Sequence, residues 1–271
     1  MLCVLGDLLL DVVVRLERPI EADADTYGQI RAGAGGQAAN VAAWTVALGG
    51  AARMIAKRGR DCAGRIVADE LERRGVELAG PGVEGGTGTV VSVATPDGRR
   101  TMLTDRGIAS DLREDELEGA WLSGCDHLHL PGYSLARAPI RGAARAAADE
   151  IRRHGGSLSV DLSSTTAIRE ASVPRFRQLL ADLGPDVVLA NADEAELVGS
   201  VAAETVVVKL GRDGCEVRRR GREVEAHAAL AADVVDTTGA GDAFAAGFLL
   251  SGPELALAAA ARCVAGIGAM P

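Results

Sequence analysis

A chain of 271 residues with 48% hydrophobic and 25% charged residues is long enough for one α/β domain with an appendage and a sizeable core. Its formal charge of -9, the absence of a long Lys/Arg run and an aromatic content of only 3% exclude a broad basic face or a base-stacking platform for nucleic acid. Small molecules are the expected partners. No segment reaches the roughly 18 uninterrupted apolar residues of a membrane span. The apolar start MLCVLGDLLLDVVV is broken by Asp7 and Asp11 and has no basic leader, so a cytoplasmic protein is expected. Cys3, Cys62, Cys125, Cys215 and Cys263 are scattered, without a CxxC pair or a His at metal-ligand spacing, and predict free thiols in a reduced compartment with no structural zinc.

From the N-terminus, residues 2–5 predict a buried strand that ends in Gly6-Asp7, with Asp11 four residues on. Carboxylates leaving the C-terminal edge of a parallel strand suit hydroxyl binding, and equally suit solvated turns. Residues 12–31 and 87–104 are extended and partly polar around the turn Pro96-Asp97-Gly98, and predict a small antiparallel flap, either a lid or a pair of surface hairpins. Further buried strands are expected over 51–56, 126–130, 157–161, 186–190 and 205–210, each apolar throughout rather than alternating. Helices are expected over 37–48, 63–74, 139–154 and 193–199; Pro139 at a first turn and Gly155-Gly156 after His154 punctuate the third. Strands alternating with helices imply a mainly parallel sheet covered on both faces, in a single domain over 1–271 whose flap occupies about 12–33 and 87–106.

The loop Val234-Val235-Asp236-Thr237-Thr238-Gly239-Ala240-Gly241-Asp242-Ala243-Phe244 opens the last helical region. Gly239 and Gly241 let the backbone turn several amides, those around Ala240 included, toward one point, and the helix start adds its positive end, which makes an anion site. Asp242 beside an anion makes sense as the base that takes a proton from an attacking hydroxyl. The competing interpretation is an ordinary Gly-rich loop with a favourable first-turn acid. Gly33-x-Gly35-x-x-Ala38 could be taken for a dinucleotide fingerprint, but TYGQIRA before it is a poor buried strand. The chain lacks the GxxxxGK[ST] of P-loop kinases.

The string DTTGAGDAF near the C-terminus resembles the phosphate-loop and catalytic-Asp motif of the ribokinase-like carbohydrate kinases, the PfkB family. Ala34-Gly35-Gly36-Gln37-Ala38-Ala39-Asn40-Val41-Ala42 is similar to that family's N-terminal half-motif, and the two motifs arrive in family order. The resemblance implies a three-layer Rossmann-like sandwich with a β-sheet lid, and ATP-dependent transfer of a phosphoryl group to a hydroxyl of a small sugar, of ribokinase, fructokinase or ketodeoxygluconate-kinase type. A nucleoside kinase shares the same motifs, and a non-catalytic sugar or nucleotide sensor on the same fold is the third reading.

By this resemblance Asp242 is the base, assisted by the amides of Gly239, Ala240 and Gly241. Asp11, and after it Asp7, with Gly35, Gly36 and Asn40, bind the sugar; Gly36 admits the backbone close to a polyol, and Asn40 offers both donor and acceptor. Arg106 is implied as a lid contact to substrate, although Ile108-Ala109-Ser110 follow where a small residue and Asn are expected. Gly59-Arg60-Asp61-Cys62-Ala63-Gly64 resembles a structural turn of the family. Asn191-Ala192-Asp193-Glu194 matches its NxxE element, in which Glu194 organises Mg2+ through water; an Asn cap with first-turn acids explains the same residues. Lys209, Gly211 and Gly214, with Asn191 and Thr238, are implied on the ATP side. Asp236 and Thr238 are candidates for a K+ site beside the phosphate loop, and the lid edges for pairing into a homodimer.

Overall fold

The computed structural model describes residues 1–97 and 99–271; Gly98, in the turn expected at Pro96-Asp97-Gly98, lies outside the described residues. Strands β1 (Leu2–Leu5), β2 (Leu9–Leu16) and β3 (Gly28–Gly35) precede helix α1 (Gln37–Ala47). They are followed by β4 (Ala52–Ile55), β5 (Arg58–Gly59), α2 (Cys62–Arg73), β6 (Glu77–Ala79), β7 (Gly82–Val83), β8 (Thr87–Ala94) and β9 (Arg100–Gly107). The second half runs β10 (His127–Pro131), α3 (Gly132–Ala136), α4 (Ile140–Arg153), β11 (Ser157–Asp161), α5 (Thr165–Glu170), α6 (Val173–Leu183), β12 (Val187–Asn191) and α7 (Ala192–Val198). It closes with β13 (Thr205–Lys209), β14 (Cys215–Arg219), β15 (Val224–His227), α8 (Ala240–Ser251) and α9 (Pro253–Val264). No element is expected from sequence between 162 and 185, where the chain forms α5 and α6; the six expected buried strands and the four expected helices form within a residue or two of their expected ends, while the flap strands run three or four residues beyond theirs.

Among the described residues, nine strands make one sheet in the order β15-β14-β13-β12-β11-β10-β1-β4-β6. It is parallel from β13 to β6, and β14 and β15 add an antiparallel edge. The apolar strand runs follow from burial on both faces. In β1, Leu2 and Val4 enter one core with Trp44 of α1 and Phe244 of α8, whereas Cys3 and Leu5 enter the other with Ile140 of α4 and Phe176 of α6. Trp44, fully buried, donates its indole N–H to the carbonyl of Ala269 at 2.8 Å and so ties the C-terminal segment to α1. One polar stripe crosses the sheet: the His127 ring bonds Ser157 and Ser159 at 2.6 and 2.7 Å, and His129 Nδ1 bonds Ser159 at 2.8 Å. Burial pushes His127 down to about 4 and His129 down to about 3, so both are neutral near neutrality and need no counter-ion.

A second sheet has the order β3-β2-β8-β9 and forms the lid. The expected flap is antiparallel, and the two outer pairs are; the central pair, β2 with β8, is parallel. The correction has a topological cause, since β2 and β8 each lead the first arm of a separate hairpin and leave the body in the same direction. The Gly59–Gly64 turn is structural as expected: the Asp61 carboxylate accepts from the amides of Gly64 at 2.8 Å and Thr87 at 2.9 Å, which fastens α2 to the lid strand β8.

The expectation of five free thiols is also corrected. Cys3 on β1 and Cys125, just before β10, form a disulfide with Cα atoms 5.8 Å apart. Parallel pairing of β1 with β10 brings together two residues 122 positions apart, which no local spacing could reveal. Cys62, Cys215 and Cys263 are free. No helix among the described residues is long and apolar enough to cross a membrane.

Helices α8 and α9 lie so close that a Cβ on Gly247 would stand 2.7 Å from Ala256 Cα. Gly247→Val should therefore cost about 1–3 kcal/mol of stability by overpacking, measured as a lower urea midpoint; an unchanged midpoint would contradict this packing.

Candidate active site

The C-terminal ends of the parallel strands, the start of α1, the start of α8 and the underside of the lid meet around one cavity of about 550 Å³. It brings together Asp7, Asp11, Gly36, Asn40, Arg106, Asn191, Glu194, Lys209, Gly211, Thr238, Gly239, Gly241 and Asp242, most of the residues singled out from sequence. Gly35 sits behind this wall, where a Cβ would run into the Asp11 carboxylate. Gly214 is not among the lining residues; it closes the β13–β14 turn, with its carbonyl accepting from Leu210 N–H at 2.8 Å. A larger groove of about 870 Å³ beside β12, β13 and β14 contains none of the candidate residues.

At the start of α8, Gly239 adopts φ 78, a left-handed conformation that glycine takes without strain. The turn uses the amides of Ala240, which donates to Thr237 O at 3.3 Å, and of Asp242, which donates to Gly239 O at 3.0 Å. The amides of Gly239 and Gly241 have no partner among the described residues. Two unsatisfied donors at the positive end of a 12-residue helix make an anion site. The amide of Ala240, the third of the expected trio, is engaged with Thr237 O in this structure. Behind the loop, Asp236 accepts from Thr238 N–H and Oγ1 at 2.9 and 2.6 Å and from Gly268 N–H at 3.0 Å, which pins the turn to the C-terminal segment.

Asp242 follows in the first turn of α8, and its carboxylate accepts from Asn40 Nδ2 at 2.7 Å. Asn40, expected on the substrate, thus spans from α1 to Asp242, and its buried Oδ1 has no partner among the described residues. Burial pushes the Asp242 carboxyl up to about 7; Asp161 and Asp11 push the same way, while the Asn40 hydrogen bond and the Lys209 ammonium oppose them.

At the acceptor end Asp7, 5% exposed, pairs with Arg106 Nη1 and accepts from Ser110 Oγ at 3.4 Å. Burial raises the Asp7 carboxyl against the pull of Arg106. Ser110, one of the residues after Arg106 that depart from the family pattern, supplies this second bond. The Arg106 guanidinium lies 4.4 Å over the Tyr133 ring. Asp11 on β2 makes no side-chain hydrogen bond among the described residues, and burial lifts it to about 6. Gly36, at φ 95, turns the chain into α1 where a Cβ would strike Asp7 O.

On the opposite wall Asn191 and Glu194 form a reciprocal cap of α7. Glu194 N–H donates to Asn191 Oδ1 at 2.8 Å, and the Glu194 oxygens accept from Asn191 N–H and Nδ2, each at 2.9 Å. The cap interpretation of this motif is present, and its acid, 3% exposed, also lines the cavity. Burial and Asp161 raise the Glu194 carboxyl. Lys209 Nζ donates to Asp161 Oδ2 at 2.6 Å. Asp161 and Tyr133 escape the sequence reading, the first because VDLSST carries no turn or motif signal, the second because a lone Tyr after a strand is ordinary core chemistry.

A raised folded-state carboxyl binds a proton that the unfolded chain has released, so its ionisation destabilises the fold progressively from about pH 4 to pH 7. Asp242→Asn should accordingly raise Tm at pH 8 and change it little at pH 4, where both side chains are neutral; equal shifts at the two pH values would contradict the raised carboxyl.

A model of the pfkB family carbohydrate kinase matches residues 1–270. The chain is 32% identical over 255 residues to an ATP-dependent ribose-1-phosphate kinase of Halopiger xanaduensis, covering 90% of this chain and 82% of that protein. It is 31% identical to a probable fructokinase-4 of Arabidopsis thaliana, covering 90% of this chain and 79% of the relative. An adenosine kinase from Sinorhizobium meliloti superposes with a TM-score of 0.88 at 25% identity over 100% of this chain and 95% of its own. A putative Ribokinase II from E. coli in complex with ATP and Mg2+ superposes at TM-score 0.84 and 22% identity, over 99% of this chain and 94% of its own.

Proposed function

We propose, because this chain belongs to the pfkB family of carbohydrate kinases, that the cavity carries the γ-phosphoryl group of ATP to a hydroxyl of a sugar held beneath the lid. The observation that carries the assignment of roles is the carboxyl of Asp242, poised at about 7 next to two free amides at the start of α8. A base with a pKa near the working pH combines a useful ionised fraction with driving force for proton transfer. Asp242 takes the proton of the attacking hydroxyl, and Asn40 holds the carboxylate in place through its 2.7 Å bond. The amides of Gly239 and Gly241 receive charge on the transferring group, a type of contribution worth about 3–4 kcal/mol per donor elsewhere.

Both oxygens of Glu194 are committed to the α7 cap, and among the described residues no cluster of three or more His, Cys, Asp or Glu could hold a metal directly. That arrangement fits Mg2+, which keeps its waters and takes phosphate oxygens, with Glu194 acting through water. Bound there, the ion supplies positive charge against the phosphates. The oxygens of Asp236 are spent on Thr238 and Gly268, which supports a loop-fastening task for Asp236 in place of potassium ligation.

Two carboxylates, Asp7 and Asp11, with Asn40 suit a polyol rich in hydroxyl donors. A nucleoside acceptor is the second reading, favoured by the likeness to an adenosine kinase. One face of the Tyr133 ring is covered by Arg106, which leaves less aromatic surface for stacking a nucleobase and favours the sugar. On the outer face of the lid Ile30 and Leu103 are 66% and 59% exposed, in rows opposite that of Asp11, Val90 and Thr104, which supports pairing with a second copy. Light scattering at micromolar concentration should then give the mass of a dimer, and a monomer would end that reading.

Asp242→Asn should keep ATP-analogue affinity and lose at least about a hundredfold in turnover, measured by coupled ADP detection across a panel of sugars, sugar phosphates and nucleosides. Near-normal turnover would remove Asp242 as the base, and turnover with nucleosides alone would replace the sugar as acceptor. In the wild type kcat should fall about tenfold per pH unit below about pH 7.

A further inference from the structure

Two charged side chains on the floor of the cavity come from strands that are not neighbours. Asp161 ends β11 and Lys209 ends β13, with β12 between them. Their bond of 2.6 Å therefore reaches across the end of a whole strand. The Asp161 side chain is 1% exposed and that of Lys209 15%, so each is the other's main source of compensation for leaving water.

The pair also has a direction. A Cβ placed on Gly241 would lie 3.5 Å from Lys209 Nζ, so the ammonium stands against the first turn of α8, beside an amide that has no partner. Lysine carries a compact charge on a flexible four-carbon stem, and without an anchor that stem samples many rotamers. Asp161 confines it to the one that faces the phosphate cradle. Held by this bond, the ammonium at the end of β13 meets both the first turn of α8 and the open cavity.

We propose that Lys209 is the cation that balances charge on the transferring phosphoryl group from the cavity floor, and that Asp161 is the positioning residue that holds its ammonium there before nucleotide binds. The proposal rests on the kinase reading above and deepens it: Lys209 is already implied on the ATP side by the resemblance, and Asp161, which the motif pattern does not contain, is added as its anchor. Asp161 exerts its positioning effect through Lys209; its charge also acts directly on Asp242 and Glu194, and the pH dependence of kcat separates the two effects.

A double-mutant cycle tests this with Asp161→Asn, Lys209→Met, the double variant and Lys209→Arg, each measured for kcat, both KM values and Tm. Lys209→Met should lower kcat about a hundredfold, as for loss of a preorganised charge partner of the transferring group. Asp161→Asn should lower kcat about tenfold with sugar KM within about twofold, and in the Lys209→Met background it should change kcat by less than about twofold. Lys209→Arg should restore part of kcat. Should Lys209→Met fail to fold, Lys209→Gln, which keeps a donor for Asp161, takes its place in the cycle. Effects of the two substitutions that multiply in the double variant would overturn the proposal, as would an Asp161→Asn variant with normal kcat and lowered Tm. Absence of ATP turnover with every sugar, sugar phosphate and nucleoside of that panel would overturn the kinase reading itself, and the proposal with it.

Discussion

A carboxyl held at the positive end of a helix, next to a place built for an anion, sets the terms for everything else in this cavity. Asp242 stands in the first turn of α8 beside the unpaired amides of Gly239 and Gly241. Ionised, it would repel a phosphate; protonated, it could not act as a base. Burial resolves the conflict by placing its titration at about 7, so that both forms are within reach near neutral pH. Asp161 and Asp11 add negative charge around it, and the Lys209 ammonium is the counterweight on the same floor.

The fold exists around that constraint in a direct sense. Parallel strands all end on one edge of the sheet, so β1, β11, β12 and β13 deliver Asp7, Asp161, Asn191 and Lys209 to the same side. Helix α1 begins at the same edge and passes Asn40 to Asp242; the lid adds Asp11 from β2 and Arg106 from β9. The two sheets therefore divide the labour. The large one fixes its charged side chains between two packed cores, and the small one brings Asp11 and Arg106 to the cavity from outside.

Much of this was legible in the residues. The strands of the large sheet read as unbroken apolar runs because both faces are covered, and DTTGAGDAF signalled the glycine turn that opens α8. What stayed hidden depends on pairing across long stretches of chain. Asp161 finds Lys209 over 48 positions, Asn40 finds Asp242 over 202, and Cys3 finds Cys125 over 122. None of these leaves a local pattern. The parallel β2–β8 pair was read as antiparallel for the same reason: a hairpin signals its own turn but not how it will meet another hairpin. Arg106 shows the converse, since the residues after it depart from the family pattern and yet one of them, Ser110, joins it in holding Asp7.

The most direct test of the central claim is a crystal structure of the protein with a non-hydrolysable ATP analogue, Mg2+ and the sugar that it turns over best. The expected result has the terminal phosphate on the Gly239 and Gly241 amides and one sugar hydroxyl within hydrogen-bond reach of Asp242. A terminal phosphate bound elsewhere, or an acceptor with no hydroxyl facing Asp242, would contradict it.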